Sequence, residues 1–505
     1  MQKFASSSFS LDDLGTDGAW LCAKGPYLDF IAERCSYDPG LMIADPKNKD
    51  HPIKPGNATV VMLEQDHSSL NFASKEFKSC SDLQSYFMND SASPQGPHPR
   101  RRIYIMEGLA QDYISVLGSQ FFMNPSFFMR QERTCIWSNA FTPVSDSLPQ
   151  PSLLEPHKSF MIDYCELRQF PQIIPNTAMF CKRTGRHVGM TPSRHEEKST
   201  TGMLRRKCSF WSRETQSGGW DVVVLCDPQL QDAWNDSSTC ATVPNSPFQG
   251  GYVDFLPINL TRDAHLTTPK HTRKSMLHDL VFYYTHHAHL IPPADWKLPV
   301  AASLFPKKII AAHYLQLVAY IKAMLPSLEL QLSSSWTNEQ EQWRTLQTIS
   351  RRCGDYCDNI EDILLSLGLP LSLPSSTAGS WMDSAKDYQY IRLRLESLKA
   401  RADTLMAAMT GLASIAGNHQ ALDEAKRAKR LTLVGLVFIP LAYSTSLFSM
   451  TDNFAPGQSA FWVYWVVAVP LIIFTFLVAG VLDLVLDEAG KFSFHRLRRQ
   501  KTNAS

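Results

Sequence analysis

Residues 431–450 read LTLVGLVFIPLAYSTSLFSM and residues 461–482 read FWVYWVVAVPLIIFTFLVAGVL, two stretches without a charged side chain, joined by TDNFAPGQSA at 451–460. These two stretches decide the fold class. A helix rises about 1.5 Å per residue, so each is long enough to cross a hydrocarbon layer roughly 30 Å thick, and both are expected to be transmembrane helices. The joining segment carries Asp452 but no Lys or Arg. Lys426, Arg427, Lys429 and Arg430 precede the first stretch, and Lys491, Arg496, Arg498, Arg499 and Lys501 follow the second. An excess of basic residues marks the cytoplasmic side. Both termini are therefore expected in the cytosol, with the short loop outside and 483–505 as a basic cytosolic tail. Phe461, Trp462, Tyr464 and Trp465 form an aromatic belt at re-entry.

Working back from the hairpin, the chain is helical to about residue 304. Tyr388, Ile391, Leu395, Leu398, Ala402, Leu405, Met409 and Leu412 alternate steps of three and four, the pattern of a coiled-coil seam. Residues 383–430 are read as a stalk helix running directly into the first span, with Gly417-Asn418 as a place to bend. A single helix from 383 to 450 would be roughly 100 Å long. Such a helix is expected to bury its seam against other copies of the chain. Residues 300–382 are expected to hold antiparallel helices and a linker. One helix covers 307–325 and is interrupted at Pro326. A second covers 339–367, with Trp343, Leu346, Ser350, Cys353, Cys357, Ile360, Leu364 and Leu367 on one stripe.

Strand-like runs dominate 101–290. Ile103–Met106, 160–167, 178–182, 207–213 and 220–225 are rich in β-branched and aromatic residues, and Cys226-Asp227-Pro228 stops the last. A mixed α/β domain is expected there, its sheet covered on one side. Residues 1–100 hold short apolar runs broken by Pro, Gly and Ser, and partial order at best is expected. No apolar core flanked by positive charge opens the chain, so everything before Leu431 is expected to stay in the cytosol. The 11 cysteines show no paired CxxC spacing and are expected as free thiols. A formal net charge of +1 gives no reason to expect a nucleic-acid partner.

The first span also resembles a known family. Leu431 through Leu441 with its mid-span Pro440, followed by Phe448-Ser449-Met450-Thr451, is similar to the first membrane helix of CorA-like divalent-cation transporters, which ends in an aromatic residue and Gly-Met-Asn. Pro440 and Met450 match and Phe448 keeps the aromatic position. Ser449 stands for the Gly and Thr451 for the Asn. Leu117-Gly118-Ser119-Gln120-Phe121, with Asn124 to Phe128, resembles the start of the cytosolic domain in the divergent fungal-type branch. The resemblance implies an α+β membrane protein with a cytosolic α/β domain, a long helical stalk and two C-terminal transmembrane helices, assembled as a homopentamer in the plasma membrane. Mg2+ or another divalent cation is then the transported or regulatory ion, and no cofactor is expected.

Leu431, Gly435, Ile439, Ala442 and Ser446 lie on one face at helical spacing. By resemblance they face the axis: Leu431 and Ile439 as apolar constrictions that gate by dewetting, and Ser446 and Thr451 as oxygen donors toward the outer end. The same small residues also suit close helix packing alone. Phe448, Ser449, Met450, Thr451 and Asp452 make up the filter-like motif. Mg2+ surrenders its water reluctantly, so a hydrated ion needs acceptors rather than a stripping cage. A Thr451 hydroxyl reaches less far than an Asn carbonyl, while Asp452 adds negative charge to the mouth.

Asp355, Asp358 and Asp362 share a helix face and are candidate regulatory metal ligands by resemblance, or simply a solvated face. His286-His287-Ala288-His289 offers imidazoles but is read as a surface loop, and Cys353 with Cys357 is read as core. No Walker A, G-x-S-x-G, H-E-x-x-H or dinucleotide fingerprint occurs, so enzymatic chemistry has no foothold. Two readings stand: a divalent-cation transporter, and a membrane-anchored interaction or sensing protein that kept the scaffold without conduction.

Overall fold

The computed structural model describes residues 18–22, 24–45, 53–65, 70–92, 99–134, 150–174, 179–191, 199–235, 240–257, 271, 273–334, 339–372, 380–449, 457 and 459–485. It divides into two compact units, Met1–Met406 and Ala407–Ser505.

The first unit is organised by a sheet whose longest strand carries two partners on one edge. Strand β7, Thr200–Glu214, pairs from Thr200 to Trp211 with the whole of β4, Ser159–Phe170. On its other edge the first part pairs with β6, His187–Met190, and the last part with β8, Trp220–Cys226. From β8 the sheet continues through β3, Arg101–Glu107, in the parallel direction, then β1, Thr59–Gln65, and β2, Phe72–Phe77. From β6 it continues through β5, Met179–Cys181, β9, Asp232–Asn235, and β10, Cys240–Thr242, while the short β11, Ser246–Pro247, adds to β4. The sheet is thus mixed, as the strand-like runs predict.

Two features differ from the sequence reading. The sheet does not begin at 101, because β1 sits between β2 and β3, and α1, Pro26–Cys35, and α2, Cys80–Ala92, pack against it. It is also covered on both faces. Val60, Met62, Tyr104, Met106, Val223 and Leu225 point into a core shared with α1, α2 and α3, Gln111–Phe121. The alternate residues Leu63, Ile103, Ile105, Val222 and Val224 are equally buried on the other side. There Phe72 packs on Tyr284 and Trp296, and the Trp220 indole donates to the Trp296 carbonyl at 2.9 Å. A continuous apolar run in a central strand, as at Val222 to Leu225 of β8, signals two covered faces. Gly118 lets α3 approach α1: a Cβ there would lie 2.3 Å from the Tyr27 ring, whose hydroxyl donates to the Met123 carbonyl.

Charges are buried in this sheet as closed networks. Glu166 on β4 lies between Arg206 at 2.9 Å and Arg168 at 2.8 Å. Burial alone would raise its carboxyl, but Arg206 and then Arg168 outweigh this and hold it at about 2. Arg186 reaches Asp227 at 2.5 Å and donates to the carbonyls of Gln131 and Arg133, both at 2.6 Å, tying β6 to α4, Pro125–Glu132.

Three long helices follow α5, Met276–His287. Helix α6, Leu304–Ser334, runs through Pro326 where an interruption is expected, α7 covers Glu339–Ser366, and α8 covers Ser384–Phe448, including Gly417 and Pro440. Within the first unit, α6 lies parallel to the start of α8, with Lys308 to Asp387 at 2.6 Å and Arg401 to Glu329 at 2.5 Å. Helix α7 lies antiparallel to it, with Glu361 to Arg392 at 2.9 Å and Ser350 to Asp403 at 2.5 Å. Tyr388, Ile391, Leu395, Leu398 and Ala402 are consequently buried inside one chain. At these positions α6 and α7 cover the stripe, while Leu412 at its far end is exposed, so the stripe is not by itself evidence for neighbouring copies.

Candidate ion-path hairpin

The second unit contains the end of α8 and helix α9, Phe461–Val485. Its two uncharged stretches, 431–450 and 461–482, leave the backbone to satisfy its own hydrogen bonds, which a helix does completely in lipid. Hydroxyls here bond back to the preceding turn: Thr432 to Ala428, Ser444 to Pro440 and Thr445 to Leu441, at 2.8–2.9 Å. The Ser444 hydroxyl therefore donates to the carbonyl of Pro440 one turn back, as serine hydroxyls inside helices do.

Contact between the two helices is confined to one side of α8. Ser444 is 2% exposed and Ala468 is fully buried, while Thr445 Oγ1 lies 3.2 Å from the Tyr464 hydroxyl. Phe448 meets the Tyr464 ring edge-on at 6.0 Å, and Phe461 stacks on the same ring. Small residues at the crossing let the helices approach closely. Sequence reading missed this contact, although Pro440, Ser444 and Phe448 at four-residue spacing carry its signal.

The residues expected to face the axis are on the other side. At roughly 100° per residue, Pro440, Ser444 and Phe448 fall within an arc of about 80°, and Leu431, Gly435, Ile439, Ala442 and Ser446 within another, centred nearly opposite. Leu431 is 74% exposed and Ile439 72%, Ala442 and Ser446 are exposed, and Gly435 is half-buried, with only Ile439 Cδ1 near the place of a Cβ. All five therefore share a face that the hairpin leaves uncovered. Of the filter-like motif, Phe448 belongs to the contact with α9, and Ser449 is exposed with its hydroxyl donating to the Ser446 carbonyl at 3.0 Å. Met450, Thr451 and Asp452 lie outside the described residues.

Residues 300–487 match the family described as CorA-like Mg2+ transporter protein. The matched segment includes α6, α7, the whole of α8 and α9. Among solved structures, the CorA magnesium transporter from Methanocaldococcus jannaschii is 10% identical, covering 83% of this chain and 96% of its own, with a TM-score of 0.33. The full-length CmaX protein is likewise 10% identical, covering 85% of this chain and 98% of its own, with a TM-score of 0.37. Likenesses this distant carry no argument of their own. No curated protein matches the chain.

Among the described residues, three helical stretches are long and apolar enough to cross a membrane, and burial separates them. The most apolar part of Pro299–Leu330 is 56% buried, that of Ser384–Phe448 12%, and that of Phe461–Ala479 6%. The first spends its apolar side chains in the globular unit: Tyr314 donates to the Asp163 carbonyl and Tyr320 to Thr191 Oγ1.

The remaining candidates belong to the first unit. Asp355 is half-buried and Asp358 and Asp362 are exposed on α7. Burial, then the negative charges of Asp358, Asp163 and Glu361, pushes the Asp362 carboxyl up. Burial raises Asp355 as well, against the pull of Arg351 and Arg205. Among the described residues no three His, Cys, Asp or Glu side chains converge as a metal site. His286 and His287 close α5 rather than lying in a loop, with His289 in the turn after it. Burial and then His289 hold the His287 imidazole down to about 4. Cys353 and Cys357 are buried thiols, pushed up by burial to about 12 and about 11.

Proposed function

We propose that this chain is a CorA-like metal-ion transporter that conducts Mg2+, or a related divalent cation such as Co2+, Ni2+ or Zn2+, across a membrane as a homo-oligomer. The carrying observation is the uncovered face of α8 opposite the α9 contact, bearing Leu431, Gly435, Ile439, Ala442 and Ser446. Two helices from one chain enclose no aqueous path, so ions require several copies to bring this face together around an axis. The family match over 300–487 supports the same reading.

In this assembly α9 takes the outer, lipid-facing position, and a homopentamer supplies five copies of each lining residue. Two spans per chain, with both termini in the cytosol, are the proposed topology, supported by the basic flanks and the burial of Pro299–Leu330. The plasma membrane is the proposed location. Leu431 and Ile439 narrow the path with apolar rings that empty of water when closed, and Ser446 offers hydroxyls above them. Ser449, Thr451 and Asp452 form the outer mouth, binding the hydrated ion through hydroxyls and charge. Asp355, Asp358 and Asp362 are the proposed regulatory face, where a bound divalent cation would offset the burial and then the neighbouring negative charges that raise Asp362.

The test is uptake by the full chain reconstituted in liposomes loaded with a divalent-sensitive dye. Uptake that Gly435→Trp abolishes is expected. A flat trace from correctly assembled protein overturns conduction and favours the membrane-anchored sensing reading.

A further inference from the structure

Tyr464, in the first turn of α9, touches the last turn of α8 at two points. Its ring meets Phe448 edge-on, and its hydroxyl lies 3.2 Å from Thr445 Oγ1. Phe461 stacks on the same ring and Trp465 meets it edge-on at 5.3 Å, so aromatic neighbours hold the ring in place. The direction of the hydrogen bond follows from counting protons. A threonine hydroxyl carries one, and that of Thr445 goes to the Leu441 carbonyl at 2.8 Å. Tyr464 is therefore the donor and Thr445 Oγ1 the acceptor.

Thr445 passes this constraint on. Its carbonyl accepts the Ser449 N–H at 2.9 Å, and the Ser449 hydroxyl donates to the Ser446 carbonyl. Ser449 thus hangs from Thr445, and Thr445 from Tyr464. At roughly 100° per residue, Thr445 falls at the border between the covered and uncovered arcs of α8, while Ser446 and Ser449 fall within the uncovered one. Both serines are exposed. Because Thr445 and Phe448 are one turn apart, a ring that touches both sets the rotation of the helix end as well as its distance from α9. Any rotation that broke these contacts would carry both serine hydroxyls with it.

We infer that Tyr464 is a positioning residue for the outer mouth: acting through Thr445, its hydroxyl sets where Ser446 and Ser449 present their oxygens to a hydrated divalent cation. This rests on the conducting reading proposed above. A binding constellation works only when held within about 0.5 Å of its productive geometry. A hydrated ion met by acceptors at the wrong place is captured less well, although the path stays open.

The experiment measures initial uptake by the full chain in liposomes over a range of Mg2+ concentrations, after size-exclusion chromatography has checked that each variant assembles like wild type. Tyr464→Phe and Thr445→Val each remove one partner and keep its size. Each is expected to raise the Mg2+ concentration at half-maximal rate about threefold, the scale of one hydrogen bond within a membrane, and to leave the maximal rate within about twofold of wild type. The double variant should be no worse than either single one, because both remove the same bond. Thr475→Val loses a hydroxyl that bonds only to the Ile472 carbonyl within α9, as Thr445 also does to Leu441 within α8, and should leave the half-maximal concentration unchanged. A merely structural role would reduce the amount of assembled protein, and with it the maximal rate, without moving the half-maximal concentration. Single variants that keep the wild-type half-maximal concentration, an equal shift in Thr475→Val, or effects that multiply in the double variant overturn this inference alone. A flat wild-type trace overturns the conducting reading and this inference with it.

Discussion

Thr445 Oγ1 lies 3.2 Å from the Tyr464 hydroxyl, and this pair fixes which side of α8 is occupied by its own hairpin partner. With Ser444 and Ala468 buried beside it, the opposite side is left for something else. Ala468→Leu should force the two helices apart and cost about 1–3 kcal/mol, as overpacking does at tight contacts. Tyr464→Phe removes only one hydrogen bond and should cost about 0.6 kcal/mol, the average for such bonds within membranes. Thermal melts of the detergent-solubilised chain should rank the two variants in that order.

Ile439 is exposed on the uncovered face and is apolar where an ion path should be wettable. If it forms a dewetting constriction, Ile439→Ser should raise resting divalent uptake severalfold in the liposome assay, since a hydroxyl ring holds water that an isoleucine ring expels. Ile439→Leu should leave resting uptake close to wild type. Equal rates for both variants would show that nothing narrows there.

Glu166 lies between two buried arginines with its carboxyl held at about 2 against an ordinary 4.5. A carboxylate with a depressed folded-state value contributes stability that is present above about 4.5 and fades as pH falls toward 2. Glu166→Gln strands Arg168 and Arg206 and should cost about 3–5 kcal/mol at neutral pH, the usual penalty for unpairing a buried charge. In chemical denaturation between pH 7 and pH 3, the gap between wild type and variant should narrow as the acid end is approached. A constant gap would assign the loss to shape rather than charge.

Leu395 is fully buried within the first unit by helices of its own chain. Leu395→Ala should therefore lower the melting temperature, by a cavity penalty of about 2–5 kcal/mol, without dissociating the proposed homo-oligomer. Light scattering coupled to size exclusion separates the two effects. Dissociation at an unchanged melting temperature would restore the seam to the interface between copies.

That residue also shows where sequence stops being legible. The stripe from Tyr388 to Ala402 announces a covered face but does not say what covers it; the matching stripe on α7, with Leu346, Cys353, Ile360 and Leu364, was equally visible. The membrane hairpin was readable because uncharged runs of twenty residues have few competing explanations in a protein of this composition. Strand β8 was readable for a similar reason, its Val222-Val223-Val224-Leu225 run ending at Cys226-Asp227-Pro228. Strand β1 was missed because Val60 to Leu63 is a short run among turn residues, and β2 because only Phe72 and Phe77 of its six residues are buried. Neither announces itself without β3 beside it. The uncovered face of α8 was legible from spacing alone, whereas its contact with α9 needed Tyr464 brought back against Thr445.

The central claim is that copies of this chain meet across the face bearing Ala442. Ala442→Cys and Ser444→Cys, each in the full chain in native membranes, should be treated with a short bis-maleimide and compared with the unmodified chain, whose nine described cysteines are free and mostly buried. Ala442→Cys is predicted to yield a ladder of covalently joined copies that the unmodified chain and Ser444→Cys do not. Single chains alone from Ala442→Cys, or an equal ladder from Ser444→Cys, would contradict the account.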